Sequence, residues 1–356
     1  MDDIYQGTFR KYLQLLAPGT LFRIGIENVL QANTGALIVV GDSPELMKLV
    51  SGGFWIDCEY TPARLYELAK MDGAIIMNSD ATRILIANAQ LDPDATIHSN
   101  ETGIRHRTAE RVARQTGVLV VAISQRRRVV TLYHGNISFR LRELSTILVK
   151  ANQALQTLEK YRNVLNRELQ RLSGLEFEDM VTVSEVCEVL RRSIKVLHIA
   201  QEIENYIVEL GTEGRLVKMQ LDELIANVHD EALYIIQDYL NSTERSPQEV
   251  MNSLLRGFEE DISDTVYIAR ILGLGSTTSH LDQQVSPRGY RMLQKLPRIP
   301  VSIIENLVQR FGLLSHIMRA TIEELDDVEG IGEVRARSIK NGLKRMQEQV
   351  ILEYVV

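Results

Sequence analysis

Leu325-Asp326-Asp327-Val328-Glu329-Gly330-Ile331-Gly332-Glu333-Val334-Arg335-Ala336-Arg337-Ser338-Ile339 places apolar residues at 325, 328, 331, 336 and 339 around two glycines. The spacing predicts two short helical segments joined by a tight turn. Glycines at 330 and 332 let the backbone turn sharply and approach an anion closely, and Ile331 between them plugs the core. Backbone N–H groups opening the second helix then face the anion, with the helix dipole behind them. Such contacts go to phosphate and not to base edges, so the binding they support is independent of sequence.

The stretch resembles the helix-hairpin-helix motif of DNA-binding modules. Shifting it by 32 residues aligns Leu293 with Leu325, Leu296 with Val328, Ile299 with Ile331 and Leu307 with Ile339. The earlier copy is degenerate, with Arg298 and Pro300 in place of Gly330 and Gly332, so it lacks the glycine cradle, and Arg298 would reach phosphate by its side chain. Paired copies of this motif pack around one core and straddle a duplex minor groove. Arg337, Lys340 and Lys344 follow at spacings of three and four, with Arg335 and Arg345 nearby. Alone, that row reads equally as a solvated face, and the adjacent hairpin favours phosphate contact. The candidate DNA-binding set is therefore Gly330, Ile331, Gly332, Arg335, Arg337, Lys340 and Lys344. The acidic stretch 323–329 is expected to face away from DNA.

Working outward, the 356-residue chain is long enough for two or three domains, and 45% hydrophobic with 24% charged residues is the composition of a globular protein. Residues 1–145 alternate strand-like and helix-like signals and predict an α/β domain with a mixed sheet. Gly35-Ala36-Leu37-Ile38-Val39-Val40-Gly41, Ala74-Ile75-Ile76-Met77, Arg83-Ile84-Leu85-Ile86-Ala87, Gly117-Val118-Leu119-Val120-Val121-Ala122-Ile123 and Val129-Val130-Thr131-Leu132-Tyr133 are the predicted strands. Their continuous apolar character fits strands covered on both faces. Helices are expected over 62–70 and 105–115, the second stopping at Gly117. Residues 146–287 read as an all-α spacer, with apolar stripes through Leu148, Ala151, Leu155, Leu158 and Leu165, and through Val186, Val189, Leu190, Leu197, Ile203 and Ile207. Residues 288–356 form the tandem helix-hairpin-helix module.

The net charge of −7 excludes a protein coated in positive charge, and residues 291–356 hold ten Lys plus Arg against nine Asp plus Glu. Nucleic acid must then be met by a local patch. Cys58 and Cys187 lie far apart without metal-ligand neighbours, and both are expected to be buried thiols. Residues 1–6 lack a signal-peptide pattern, and no run of roughly 18 apolar residues suits a membrane span, so a cytoplasmic protein with no membrane partner is expected.

Two stretches of the first domain carry possible chemistry. Met71-Asp72-Gly73-Ala74 places a carboxylate at the edge of a sheet, although Asp-Gly is also a common turn. Glu101-Thr102-Gly103-Ile104-Arg105-His106-Arg107-Thr108-Ala109-Glu110-Arg111 gathers three basic side chains, two threonines and a helix start, the donors a triphosphate requires. A charged first turn is sometimes merely solvated, but cations there oppose the helix dipole, and an anionic ligand explains their presence.

Met71-Asp72-Gly73-Ala74 followed by Arg105-His106-Arg107, preceded by Asn33-Thr34-Gly35-Ala36-Leu37-Ile38-Val39-Val40-Gly41-Asp42 and joined to the terminal hairpin, resembles the bacterial DNA integrity scanning family of diadenylate cyclases over essentially the whole chain. The resemblance implies condensation of two ATP into cyclic di-3′,5′-AMP with release of two pyrophosphates. It implies cyclase domains meeting face to face within an octamer, and a nucleoid-associated protein whose output responds to branched or damaged DNA, with recombination factors as possible partners. Carried onto this chain, Asp72 binds Mg2+ or Mn2+ or helps activate a ribose 3′-hydroxyl, Gly73 lets backbone approach the nucleotide, and Leu91 lines the adenine pocket. Ile104, Arg105, His106, Arg107 and Thr108 hold the phosphates, with Arg105, His106 and Arg107 counted as catalytic, while Ser124 and Arg127 are further phosphate candidates. The alternatives are a non-catalytic DNA-binding scaffold that senses nucleotide, and a repair nuclease or ligase. The latter pair lacks a clustered carboxylate site or a ligase-type lysine motif.

Overall fold

The computed structural model describes residues 7–241, 245–257, 261 and 264–355, with side chains as far as 350. The chain divides into two compact units, one formed by Met1–Gln153 with Glu204–Met219 and the other by Ala154–Ile203 with Gln220–Val356. The N-terminal reading over residues 1–6 lies outside the described residues.

In the first unit, the apolar runs become the strands β1 (Ala36–Val40), β4 (Ala74–Met77) and β6 (Leu119–Ser124), buried along almost their whole length. They are flanked by β2 (Val50–Ser51), β3 (Phe54–Glu59), β5 (Arg83–Leu91), β7 (Val129–His134) and β8 (Ile137–Arg140). The order is β2-β5-β4-β1-β6-β7-β8, with β3 pairing to β5. Among the described residues only β1 and β4 run parallel, so the sheet is mixed as expected. Side chains alternate across it. Ile38, Val40, Ile75, Met77, Val121 and Ile123 face one core, with α1 (Gly7–Leu15), α2 (Leu21–Gln31) and α4 (Pro62–Leu68) supplying Phe9, Phe22, Ile26 and Leu65. Leu37, Val39, Ile76, Val120 and Ala122 face the other, against Leu46 of α3 (Pro44–Met47) and Ala109, Val112 and Ala113 of α5 (Ile104–Thr116). Each fully buried Val or Ile contributes about 2 kcal/mol, which is why these central strands need no polar face.

The spacer helices are α6 (Leu144–Glu178), α7 (Val183–Leu210), α8 (Arg215–Ile225), α9 (Val228–Tyr239), α10 (Pro247–Arg256) and α11 (Thr265–Leu272). Their buried stripes differ from expectation by one position in places. Ile147 is buried and Leu148 half-buried, and Val196 is buried while Leu197 is not, because a 3.6-residue repeat drifts around a long helix. Cys187 is buried, but Cys58 is only half-buried, since it lies on β3, whose one neighbour is β5. Among the described residues no helix is long and apolar enough to cross a membrane.

The C-terminal helices α12 (Tyr290–Gln294), α13 (Val301–Phe311), α14 (Leu314–Arg319), α15 (Ile322–Asp326) and α16 (Glu333–Val355) share one core containing Leu293, Leu296, Leu307, Leu325, Val328, Ile331 and Ile339. The repeat is structural as well as sequential. Ile303 and Ile304 donate their N–H groups to Pro300 O, as Arg335 and Ala336 do to Gly332 O. Gly330 has φ +81°, and its counterpart Arg298 adopts φ +63° without being glycine. The degenerate hairpin therefore keeps the turn at the expense of a left-handed arginine.

Candidate active site and nucleic-acid interface

The sheet register brings the first unit's candidates to one end. Leu37 pairs with Ala74, so Asp72 comes level with Gly35; Ala36 pairs with Ile123, which sets Ser124 beside Gly35. Ala74 pairs with Ala89, and continuing that pair along β5 carries Leu91 level with Asp72. Asp72 is exposed, Gly73 half-buried and Leu91 buried. The tight backbone approach expected at Gly73 is made first to the protein itself: its N–H donates to Asn88 Oδ1 at 3.0 Å, and a Cβ on it would lie 2.3 Å from Asn88 C. Asn88 adopts φ +55° inside β5, in the left-handed region asparagine tolerates better than most residues. This residue thus sets the Asp72-Gly73 turn.

α5 opens at the same end. Its N-cap Gly103 offers no side-chain acceptor and its first turn has no acidic residue, so the leading amides stay available. Ile104 is 83% exposed. The Arg105 guanidinium packs on Gly35, where a Cβ would sit 2.3 Å from Nη1, and so ties the helix start to β1. His106 is half-buried with Nδ1 3.0 Å from Tyr133 Oη, and Tyr133 donates to Glu101 Oε1 at 2.8 Å. Burial lowers the His106 pKa, with Glu101 opposing that and Arg105, Arg127 and Arg140 adding to it. Arg107 is exposed and donates to the carbonyls of Glu101 and Thr102. Thr108 is half-buried; Ser124 Oγ accepts from Arg127 N at 3.3 Å, and Arg127's side chain is exposed. Buried Glu110 accepts from Ser99 and pairs with Arg114 at 2.6 Å, while Arg111 donates to Ile97 O, so the loop ahead of α5 is fastened to the helix.

Asn88, Gly35, Glu101, Tyr133 and Glu110 carry the site's geometry without having been assigned a role from sequence. Glu101 and Glu110 both lie within residues 101–111, but their partners come from β7 and the preceding loop, which spacing along one chain does not reveal.

In the C-terminal module the two hairpins face a cleft of about 720 Å3 between Pro297, Arg298 and Ile299 on one side and Gly332, Glu333, Val334 and Arg335 on the other. Ile331 is buried as expected. The left-handed φ of Gly330 favours glycine, whereas Gly332 has no such need: a Cβ there meets nothing within 4 Å, so its bare backbone matters only to something arriving from outside. The basic row divides. Arg337 pairs with Glu333, Lys344 is exposed 3.9 Å from Glu348, and Arg335 folds onto Gly330 O. Lys340 is half-buried and donates to Met318 O and Ala320 O, closing the end of α14.

Three protein families match the chain. Residues 23–137 match the DisA bacterial checkpoint controller nucleotide-binding family, 141–281 the DisA bacterial checkpoint controller linker region, and 313–341 the helix-hairpin-helix motif. The chain is 61% identical to the DNA integrity scanning protein DisA of Carboxydothermus hydrogenoformans over 95% of its own length and 96% of that protein's. It is 53% identical to the DisA protein of Bacillus subtilis, covering 96% of this chain and 94% of the other.

Proposed function

Because the chain belongs to the family of DNA integrity scanning proteins and is a diadenylate cyclase, a nucleotidyltransferase, we propose that it joins two ATP into cyclic di-3′,5′-AMP under the control of DNA held by the C-terminal module. Each ribose 3′-hydroxyl attacks the α-phosphorus of the other ATP, gives up its proton, and expels pyrophosphate as the phosphorus–oxygen bond to the leaving group breaks. The observation that carries this reading is the convergence of the Asp72-Gly73 turn, Ser124 and the uncapped start of α5 on one sheet end. Phosphoryl chemistry asks mainly for in-line positioning and neutralised charge, which such an edge supplies.

Leu91 lines the adenine pocket, Gly73 admits the nucleotide, and Ile104, Arg105, His106, Arg107 and Thr108 hold the triphosphate with help from Ser124 and Arg127. No cluster of three or more metal-ligating side chains occurs among the described residues. Mg2+ or Mn2+ would be held by the substrate phosphates together with Asp72, and would supply charge neutralisation there. One chain presents one such edge, so the reaction needs two copies face to face; that they sit within an octamer is what the family resemblance implies. Exposed Phe54 and Trp55, 61% and 70% accessible, are apolar surface available for self-association.

Duplex or branched DNA enters the cleft between the hairpins by its backbone, reporting damaged DNA to the cyclase in a nucleoid-associated bacterial protein that works beside recombination factors. Asp72→Asn is expected to abolish cyclic dinucleotide from ATP and to leave DNA binding intact. Undiminished synthesis by that variant overturns the role of Asp72.

A further inference from the structure

A chain of three side chains runs behind the nucleotide edge. Glu101 belongs to the loop ahead of α5, Tyr133 projects from β7, and His106 stands in the first turn of α5. Proton counting fixes their roles. The phenol has a single proton and gives it to the carboxylate, which only accepts. Its oxygen therefore meets His106 as an acceptor, and the imidazole proton sits on Nδ1. Tyr133 is 1% exposed, and burial holds its hydroxyl protonated well above the ordinary range, so the phenol between the two half-buried partners is itself shielded from water. His106 Nε2 has no hydrogen-bond partner among the described residues.

We propose that Glu101 and Tyr133 are positioning residues that hold His106 as its Nδ1–H form and reserve Nε2 for the phosphates of ATP. The proposal rests on the phosphate-facing reading of His106 given above. A second proton, taken from water as the triphosphate arrives, then has one place to go, and the imidazolium donates a hydrogen bond from Nε2 to the departing pyrophosphate. Glu101 favours that charge from behind, while burial, Arg105 on the same helix, Arg127 in the β6–β7 turn and Arg140 on β8 oppose it. Empty, the ring is held toward its neutral form, and it is the charge of the arriving triphosphate that draws the second proton. The logic is that of a carboxylate orienting an imidazole through its far nitrogen, with a phenol interposed.

The test uses the full chain with ATP and Mg2+. Tyr133→Phe keeps the ring and loses the acceptor; kcat is expected to fall about tenfold or more with KM for ATP within about twofold. Glu101→Gln keeps an oxygen for the phenol and removes the charge, so the high-pH limb of kcat, where His106 gives up its second proton, moves to lower pH. Unchanged melting and DNA binding establish that each variant is folded, and Glu101→Gln carries the test alone if Tyr133→Phe is not. Wild-type kcat and a wild-type high-pH limb in folded variants overturn the proposal. A parallel His106→Gln separates the two layers: full activity there defeats the phosphate-facing role itself, whereas its inactivity beside unaffected Tyr133 and Glu101 variants defeats only the positioning pair.

Discussion

Gly73 and Arg298 show how single backbone positions divide labour between folding and function. At Gly73 the neighbouring Asn88 leaves no room for a side chain. Gly73→Ala is expected to push the Asp72 turn off β5, costing about 1–3 kcal/mol of stability and most of the cyclase activity; denaturant melts beside product assays check both. Arg298 makes the opposite trade, accepting a left-handed φ to keep an exposed guanidinium at the cleft. Arg298→Gly should raise stability by about 0.5–1 kcal/mol, the relieved strain outweighing the looser unfolded chain, and weaken DNA binding at the same time. A variant that is no more stable and binds DNA as before would show that the arginine is neither strained nor in contact. Lys340 is a residue whose spacing suggested a partner outside, while its ammonium closes carbonyls inside. Helical periodicity reports a face, not what that face meets.

At the scale of elements, the parts of the fold legible in sequence are those determined by local signals. β4 matches its predicted run of four residues, and α5 ends at Gly117 with φ +69°. β2, β3 and β8 were not foreseen: β3 presents Phe54, Trp55 and Ile56 to the exterior, so its composition does not announce a strand with a covered face. The short helix α12 is held by distant residues. Asp238 accepts from the N–H groups of Gly289, Tyr290 and Arg291, and Arg291, wholly buried, pairs with Glu176 of α6. Asp238→Ala strands those donors and should destabilise this unit by about 3 kcal/mol in chemical denaturation. Burial, reinforced by Glu176, pushes the Asp238 pKa up to about 7 from an ordinary 3.8. A raised carboxyl means the folded state keeps a proton the unfolded chain releases, so its contribution is complete below about pH 4 and lost as pH rises through 7. Stability measured across that window should fall more steeply in the wild type than in Asp238→Asn; equal slopes would assign the dependence to other groups.

For the molecule as a whole, the sequence motifs placed the chemistry at the two ends of the chain; the register of β1, β4 and β6 explains how residues 72 and 124 reach one edge, and the packing of Arg105 on Gly35 brings the start of α5 there. Asn88 and Tyr133 stayed hidden because a strand partner is chosen by the folded sheet and not by spacing along the chain. Gly332 offers a clean probe of communication, since a Cβ there meets nothing within 4 Å. Gly332→Leu should fold normally, bind unrelated DNA sequences equally poorly, and make the basal amount of cyclic dinucleotide without responding to branched DNA. The most direct measurement incubates the purified chain with ATP and Mg2+ or Mn2+ and resolves the products chromatographically, beside Asp72→Asn. The expected result is one cyclic di-3′,5′-AMP and two pyrophosphates for each pair of ATP consumed, with none from the variant. No cyclic dinucleotide under either metal, or equal synthesis by both proteins, would contradict it.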